Sequence, residues 1–485
     1  MPRVWTAVLA AACLAGARAA AQGPPTRCDA LNTDSTRQIN VRTPTGQYDS
    51  FFGAGIVVVC PAKKIRLKAD SAEQYGDQKR IYLVGHVFYQ EPRFSVHSDY
   101  LNYFMGDERV VANGNVDATM PNGSNLKGPV ATYLRPIPKT RPLATMTATG
   151  RPTITLIQQD SLGHPLPPMT VVANNVFMNG DSLLYAGGVV QITRQDLTAH
   201  SDSMFLDGQH DVLHLIGHPE IEGKQGQNPF TLVGTLLDLY SKDQKLRRVL
   251  ARGKGVATSK DLNLHADTID LRVNNDQLER AYAWGPGRAA AKSTADSLLA
   301  DSIDVLMPAQ RVREIHALGR GYAESKPDTV KFRTKDMDWL RGDTILALFD
   351  TLPPKDTAQG PQIRRLIAID SASSYYNMAP RDTSLCAPAI SYSKGQRIVV
   401  TFGAKGVENV DVVGKTYGLL AEPVADSSTT VACGKPFKKP DEKQSADTSA
   451  TGKKGAAPKP GGKPPVPPGR PDTTAVALPS HRSSL

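Results

Sequence analysis

Three triplets place a histidine two residues before an aspartate: His97-Ser98-Asp99, His200-Ser201-Asp202 and His265-Ala266-Asp267. Imidazole and carboxylate brought together three times could form a row of metal ligands. The aspartate recurs more widely, at Asp70, Asp99, Asp202, Asp267, Asp301 and Asp343, with Asn174 in a weaker copy. Carboxylates converging in pairs would instead supply the acid and base of glycoside hydrolysis. The wider pattern fits neither chemistry. Other copies carry Lys68, Leu299 or Arg341 where the histidine stands, an exchange that suits a solvated face. An enzyme seldom needs the same acid in every repeat, whereas a chain that bends in every repeat needs a corner residue. A small residue precedes each aspartate (Ala69, Ser98, Ser201, Ala266, Ala300, Gly342), which suits a corner where the carboxylate accepts backbone N–H bonds. No catalytic residue, metal site or cofactor is expected. No glycine-rich loop follows a strand and opens a helix, so no nucleotide site is expected either.

The elements that position these corners are strands. Ile81, Leu83 and Val87 alternate with Tyr82, Val84 and His86, and Ile269, Leu271 and Val273 with Asp270, Arg272 and Asn274. That period of two is a strand signature. Polar breaks such as Gly76-Asp77 and Gly106-Asp107 suit hairpin turns. Glycine recurs at a second corner, at Gly85, Gly114, Gly150, Gly217, Gly253, Gly285, Gly319 and Gly403, where a positive φ or a bulge would bend the sheet. The unit returns every 28–34 residues or so between about Val57 and Leu420, within the range of stacked repeats. Pro-rich stretches at 161–168 and 352–361 read as loop insertions. A short helical fragment is predicted around Ala290–Leu299. One such unit cannot bury its apolar face alone, so about ten must stack into a sheet that folds over itself.

The ends differ from the body. Arg3, the apolar stretch Val4–Ala17 and Ala19-Ala20-Ala21 form a secretory signal, cleaved near Ala21. Cys13 after three alanines gives a weaker lipobox alternative, without the usual leucine. The export signal places the mature chain in an oxidising compartment, where Cys28, Cys60, Cys386 and Cys433 would form disulfides. Four cysteines allow three connectivities; Cys28 with Cys60 and Cys386 with Cys433 would each close one end of the folded region. The net charge of +10 resides mostly in the segment from Gly434 to Leu485, which carries ten Lys or Arg against four Asp or Glu. That segment is rich in Pro, Lys, Gly and Ser and is expected to be disordered. The body is then nearly neutral, and nucleic-acid binding is not expected.

Residues 65–120 carry the unit twice, as "IRLKADSAEQYGDQKRIYLVGHV" and "FSVHSDYLNYFMGDERVVANGNV". Apolar-x-apolar-x-small-Asp, a polar turn and then apolar-x-Gly-Asn-Val resembles the OstA-like family of lipopolysaccharide-transport domains, found in LptA-type periplasmic bridges and the N-terminal part of LptD-type proteins. The likeness is clear over 65–120, fair over 160–330 and weak over 336–420. It implies an all-β fold of repeated hairpins, a β-jelly-roll or β-taco solenoid, with an apolar groove for acyl chains. Transferred onto matching positions, the lipid would lie along Ile65, Leu67, Ile81, Leu83, Val87, Phe94, Val96, Val110 and Val116, with Lys68 and Arg93 near phosphates. Implied partners are lipopolysaccharide or a related glycolipid, and LptC-like and LptD-like proteins or further copies of the chain, joined through terminal edge strands. The layout so expected is a signal at 1–21, a lead segment at 22–50, OstA-like units at 51–160 and 161–335, a degenerate third unit at 336–425 and the tail at 426–485. The chain lacks the outer-membrane barrel that follows in LptD-type proteins.

Two readings of the apolar row stay open: a groove that holds acyl chains, or a dry core. A periplasmic lipid carrier takes the first. The rivals are a right-handed β-helix acting on polysaccharide, which would need two or three converging carboxylates, and an exported structural or adhesive repeat protein.

Overall fold

The computed structural model describes residues 29–32 and 36–424, except 161, 225–228, 244, 261–262, 276, 294–295, 328–333, 351–360, 383–384 and 404–405. The signal, Cys13, Cys28, Cys433 and the tail expected to be disordered lie outside the described residues. All that is described belongs to one compact unit, Met1–Gly434; the second unit, Lys435–Leu485, lies wholly outside.

The described chain is one antiparallel sheet of thirty strands with two short 3-10 turns, Pro61–Lys63 and Pro308–Gln310. It is the all-β roll of repeated hairpins expected from the repeats. Each long strand crosses the molecule in two halves. In Arg80–Glu91, residues 80–84 pair with Ser71–Tyr75 while Arg66–Lys68 face Phe88–Gln90. The next strand, Phe94–Phe104, pairs with both halves, and the register shifts between Val84 and Val87. The same mid-strand shift recurs along the sheet as far as Ile369/Ala372. The sheet is therefore creased lengthwise, with two half-sheets facing each other and hairpin turns at both free lips.

Parity decides what lies inside. Along Arg80–Glu91 the odd residues Ile81, Leu83, Val87, Tyr89 and Glu91 are buried. The even ones point out. One core runs from Phe52 to Val400 without a break. Burying each such side chain contributes roughly 1.5–3 kcal/mol, so the crease is held shut by the two half-sheets packing on each other.

The crease has a repeated chemistry. Gly85 (φ +78) and Gly114 (φ +74) adopt left-handed backbone, and the next residues, His86 and Asn115, do so too. A Cβ on Gly85 would collide with the Asp70 carboxylate, and one on Gly114 with Asp99. The same packing puts Asp202 against Gly217, Asp267 against Gly285, Asp301 against Gly319 and Asn174 against Gly188. The aspartates mostly do not cap their own backbone as an Asx turn would. They accept from the side chain after the glycine, in the next pass of the chain. His86 Nδ1 lies 2.7 Å from Asp70 Oδ2, Asn115 Nδ2 donates to Asp99 over 2.9 Å, and His218 Nδ1 lies 2.9 Å from Asp202. Arg320 donates to Asp301 over 2.6 Å. Asp267 alone of these takes a backbone donor, Gly287 N–H at 2.8 Å. Beside Asp343 the left-handed pair is Asp370-Ser371 instead of glycine.

Several expectations are corrected. The described residues of Ala290–Leu299 form no helix: Gln277–Lys292 and Asp296–Leu306 are paired strands, and Ala289 and Ala291 belong to the core between the half-sheets. Small side chains there satisfy close packing, which outweighs alanine's helix preference. Gly403 ends a strand at a hairpin, opposite Gly406, and makes no crease. The lead segment is part of the sheet, since Asp29–Asn32 pairs with Ile56–Cys60 and Arg37–Arg42 with Tyr48–Gly53. Nor do the three units separate: strands pair continuously across 160 and 335. Pro-rich 161–168 is a loop, as predicted, while 352–361 falls almost wholly on undescribed residues. Cys60 and Cys386 are both disulfide-bonded and buried. A right-handed β-helix stacks parallel strands, but every pairing among the described strands is antiparallel.

The crease predicts an asymmetric cost for added methyl groups. Gly114→Ala should lower unfolding free energy by about 1–3 kcal/mol, from left-handed strain and contact with Asp99. Gly106→Ala, at an open turn without positive φ, should stay within about 0.5 kcal/mol. Urea midpoints of the two variants check this.

Candidate functional site

The nine residues expected to line a lipid groove all lie inside the roll, each between 0 and 6% exposed. Ile65 and Leu67 come from Ile65–Ala69; Ile81, Leu83 and Val87 from Arg80–Glu91; Phe94 and Val96 from Phe94–Phe104; Val110 and Val116 from Arg109–Thr119. They face one another across the two half-sheets and are packed together. Lys68 is exposed on the outer face, since its parity opposes that of Leu67. The histidines of the triplets do not join the aspartates. His97 and His200 are exposed, and His97 packs on the Phe88 ring at 4.8 Å. Among the described residues no three His, Cys, Asp or Glu side chains group as a metal site would require.

The chemistry of the interior is concentrated at the lips, opposite the crease. Over the first third the lips are joined by buried polar groups. Glu91, whose side chain is 2% exposed, accepts from Arg135 Nε at 2.6 Å, Tyr133 Oη at 2.8 Å and Tyr89 Oη at 3.0 Å. Arg135 also donates to Glu108 at 2.8 Å, and Glu108 accepts from Tyr103 at 2.8 Å. Lys63, at the lip that holds Glu91, reaches across to Glu108 and to Tyr103. Burial drives the phenols of Tyr89, Tyr103 and Tyr133 far above their ordinary range, so all three stay protonated donors. Burial works to raise Glu108 as well, but the bonds from Lys63, Tyr103 and Arg135 prevail and hold it below the usual carboxylate range. This clasp was legible in parity: Glu91 and Arg135 continue the inward rows Val87–Tyr89 and Ala131–Tyr133, where a charge is out of place unless it meets another.

Further along, the joins thin out. Arg93, expected near phosphates, bridges the mouth to Asp181 instead, above a cavity of about 480 Å³ lined in part by Met120, Leu156, Met178 and Leu206. Arg194, buried at one lip, pairs with Asp196 beside it and donates to Ser241 on the other over 3.1 Å. In the last third the mouth holds an apolar cavity of about 250 Å³, between Leu298 and Leu340 on one half-sheet and Ile315, Ile363, Leu366 and Phe402 on the other. Three acids stand on its first lip: Asp296, Glu324 and Asp338. Their bonds stay on that lip. Asp296 accepts from Ser293 at 3.0 Å, Glu324 interacts with Tyr322, and Asp338 accepts from the Asn377 N–H and amide at 2.8 and 2.7 Å. Burial pushes the Asp338 carboxyl above its ordinary range, against the pull of those two bonds.

Other acids are neutralised one by one. On the outer face Asp238 meets His214 at 2.6 Å and Arg252, Asp270 meets Arg248 and Arg272, and Asp304 meets Arg280. None of these carboxylates shares a cleft with a second acid as a glycosidase pair would. The sequence matches no protein-family model and no curated protein.

The clasp should behave as a buried ion network. Glu91→Gln should cost about 3 kcal/mol or more, because Arg135 loses its buried counter-charge and one of the two accepting oxygens becomes an NH2 group that cannot accept. Replacing Glu91 and Arg135 together by leucine should cost less than the two single changes summed. For pH the sign follows from Glu108: its lowered folded value gives stability that is full above the unfolded range near about 4.3 and is lost as pH falls through the folded value. Urea midpoints between pH 7 and 3 should therefore fall in acid, and fall less steeply in Glu108→Gln.

Proposed function

We propose that this chain is a non-enzymatic carrier that shields the acyl chains of a glycolipid, such as lipopolysaccharide, between its two half-sheets in the periplasm. The observation that carries the reading is the mouth of the last third, where the lips part over an apolar cavity. A creased sheet needs no chemistry to move a lipid; it needs an apolar interior reached from one side, and the mouth supplies the entry. The packed first third is then the closed part of the path, held by the clasp.

Both ends of the roll suit the partners implied by the resemblance. Among the described residues Arg37–Arg42 pairs only with Tyr48–Gly53, with Ile39 and Val41 exposed. At the far end Gly406–Val413 and Tyr417–Ala421 pair, among the described residues, only with Ala389–Gly403. An LptC-like or LptD-like domain, or a second copy, would add strands there.

A second reading, an exported structural repeat protein, is favoured by the nearly complete burial of the nine expected lining residues. Photo-crosslinking in cells separates the two. A crosslinker at Leu298 or Ile363 should give glycolipid adducts, and one at outward-facing Tyr82 should give none. Equal absence at Leu298, Ile363, Leu67 and Val96 would sink the carrier and leave the dry roll.

A further inference from the structure

The two stretches of lip differ in how their charges are matched. In the first third each acid of the clasp meets a base from the opposite lip: Glu91 meets Arg135, and Glu108 meets Lys63. In the last third three acids line one lip, and among the described residues the opposite lip lines the cavity with apolar side chains such as Ile363, Leu366 and Phe402. Lys292 is the one basic residue among the described lining residues, and it is exposed. Among the described residues none of Asp296, Glu324 and Asp338 has an ion-pair partner. Asp296 and Asp338 are brought to one level by register, Asp296 opposite Ser325 and Ser325 opposite Asp338. Behind them the cavity wall is apolar, and Trp339 stands at its edge beside Asp338, its ring stacked on Tyr375 at 6.1 Å.

We propose that this mouth binds a single aliphatic chain bearing a cationic amine head group, with the chain between Leu298, Leu340, Ile363 and Phe402 and the amine on Asp296 and Asp338. The assignment rests on the carrier reading but gives this mouth a different cargo, a single-chain amine in place of a phosphate-bearing glycolipid with several chains. An ammonium would supply a counter-charge to these acids and donate hydrogen bonds to carboxylates that line the mouth. A phosphate in the same place would meet acids at close range in a half-desolvated site, where like charges repel strongly. A cavity of this size suits one chain, not a cluster of several. The head group selected here is thus opposite in sign to the one that a lipid phosphate would present.

Tryptophan emission reads the test. The full chain with Trp5 and Trp284 replaced by Phe keeps Trp339 as its one tryptophan. Dodecylammonium and dodecyl phosphate, each below its micelle concentration, are titrated separately. The ammonium should shift the Trp339 emission at concentrations at least about tenfold lower than the phosphate, as a charge-assisted contact requires. Asp296→Asn with Asp338→Asn should abolish that preference while leaving the chain able to bind. Ala323→Phe, which fills the cavity wall, should abolish the shift with both probes, and the urea midpoint of each variant checks that it folds. Equal or tighter binding of the phosphate overturns the head-group assignment and leaves the carrier reading intact. A shift with neither probe overturns the assignment, and the carrier reading then stands or falls on the crosslinking at Leu298 and Ile363.

Discussion

At most creases of this sheet the side chain of one strand lies over the bare Cα of the next, and the roll depends on that contact. A carboxylate or amide of one pass occupies the space a Cβ would need in the following pass. The glycine and the residue after it then take left-handed backbone, which turns the strand through the bend without breaking its pairing on either side. Because the bend falls at the same depth in successive strands, the two half-sheets stay opposed over the whole length. The apolar rows then meet face to face. The core, the clasp and the mouth all follow from a crease that is kept straight.

The repeat unit, its strand character and the crease were legible because each rests on local pattern: alternation, a small residue before Asp, a glycine at fixed distance. The true partner of the aspartate was written just as locally, in Gly85-His86, Gly114-Asn115, Gly217-His218 and Gly319-Arg320. The histidines two places before the aspartate stand on the other side of the bend and do not reveal that partner. Ala290–Leu299 misled for another reason, since alanine-rich sequence serves a helix and a tight sheet-to-sheet contact equally well. The merging of the expected units depends on pairing across long loops, which no short window of sequence reveals. The mouth was beyond reach for the same reason. Its walls come from strands more than a hundred residues apart, such as Ala291 and Phe402, and its openness is a matter of which lip received the bases.

Charge is sorted along the roll as well as across it. The first third buries its acids with bases and phenols, a costly arrangement that fixes the spacing of the lips when every group is satisfied. The last third leaves its acids on one side of an apolar opening. The first third is thereby committed to a single closed geometry, and the last third keeps an apolar cavity open at the mouth.

Each strand bonds only to its immediate neighbours in the meander, through a core that no central element organises. Cooperativity in such a chain is passed from pass to pass, as in a one-dimensional array. Unfolding then has a direction. It should begin where neighbours are fewest and the lips are untied, at the strands near Tyr417–Ala421, and travel towards the clasp, which acts as the chain's last knot. A protein built this way can soften at one end, admit or release a guest there, and still keep its other end folded as an anchor.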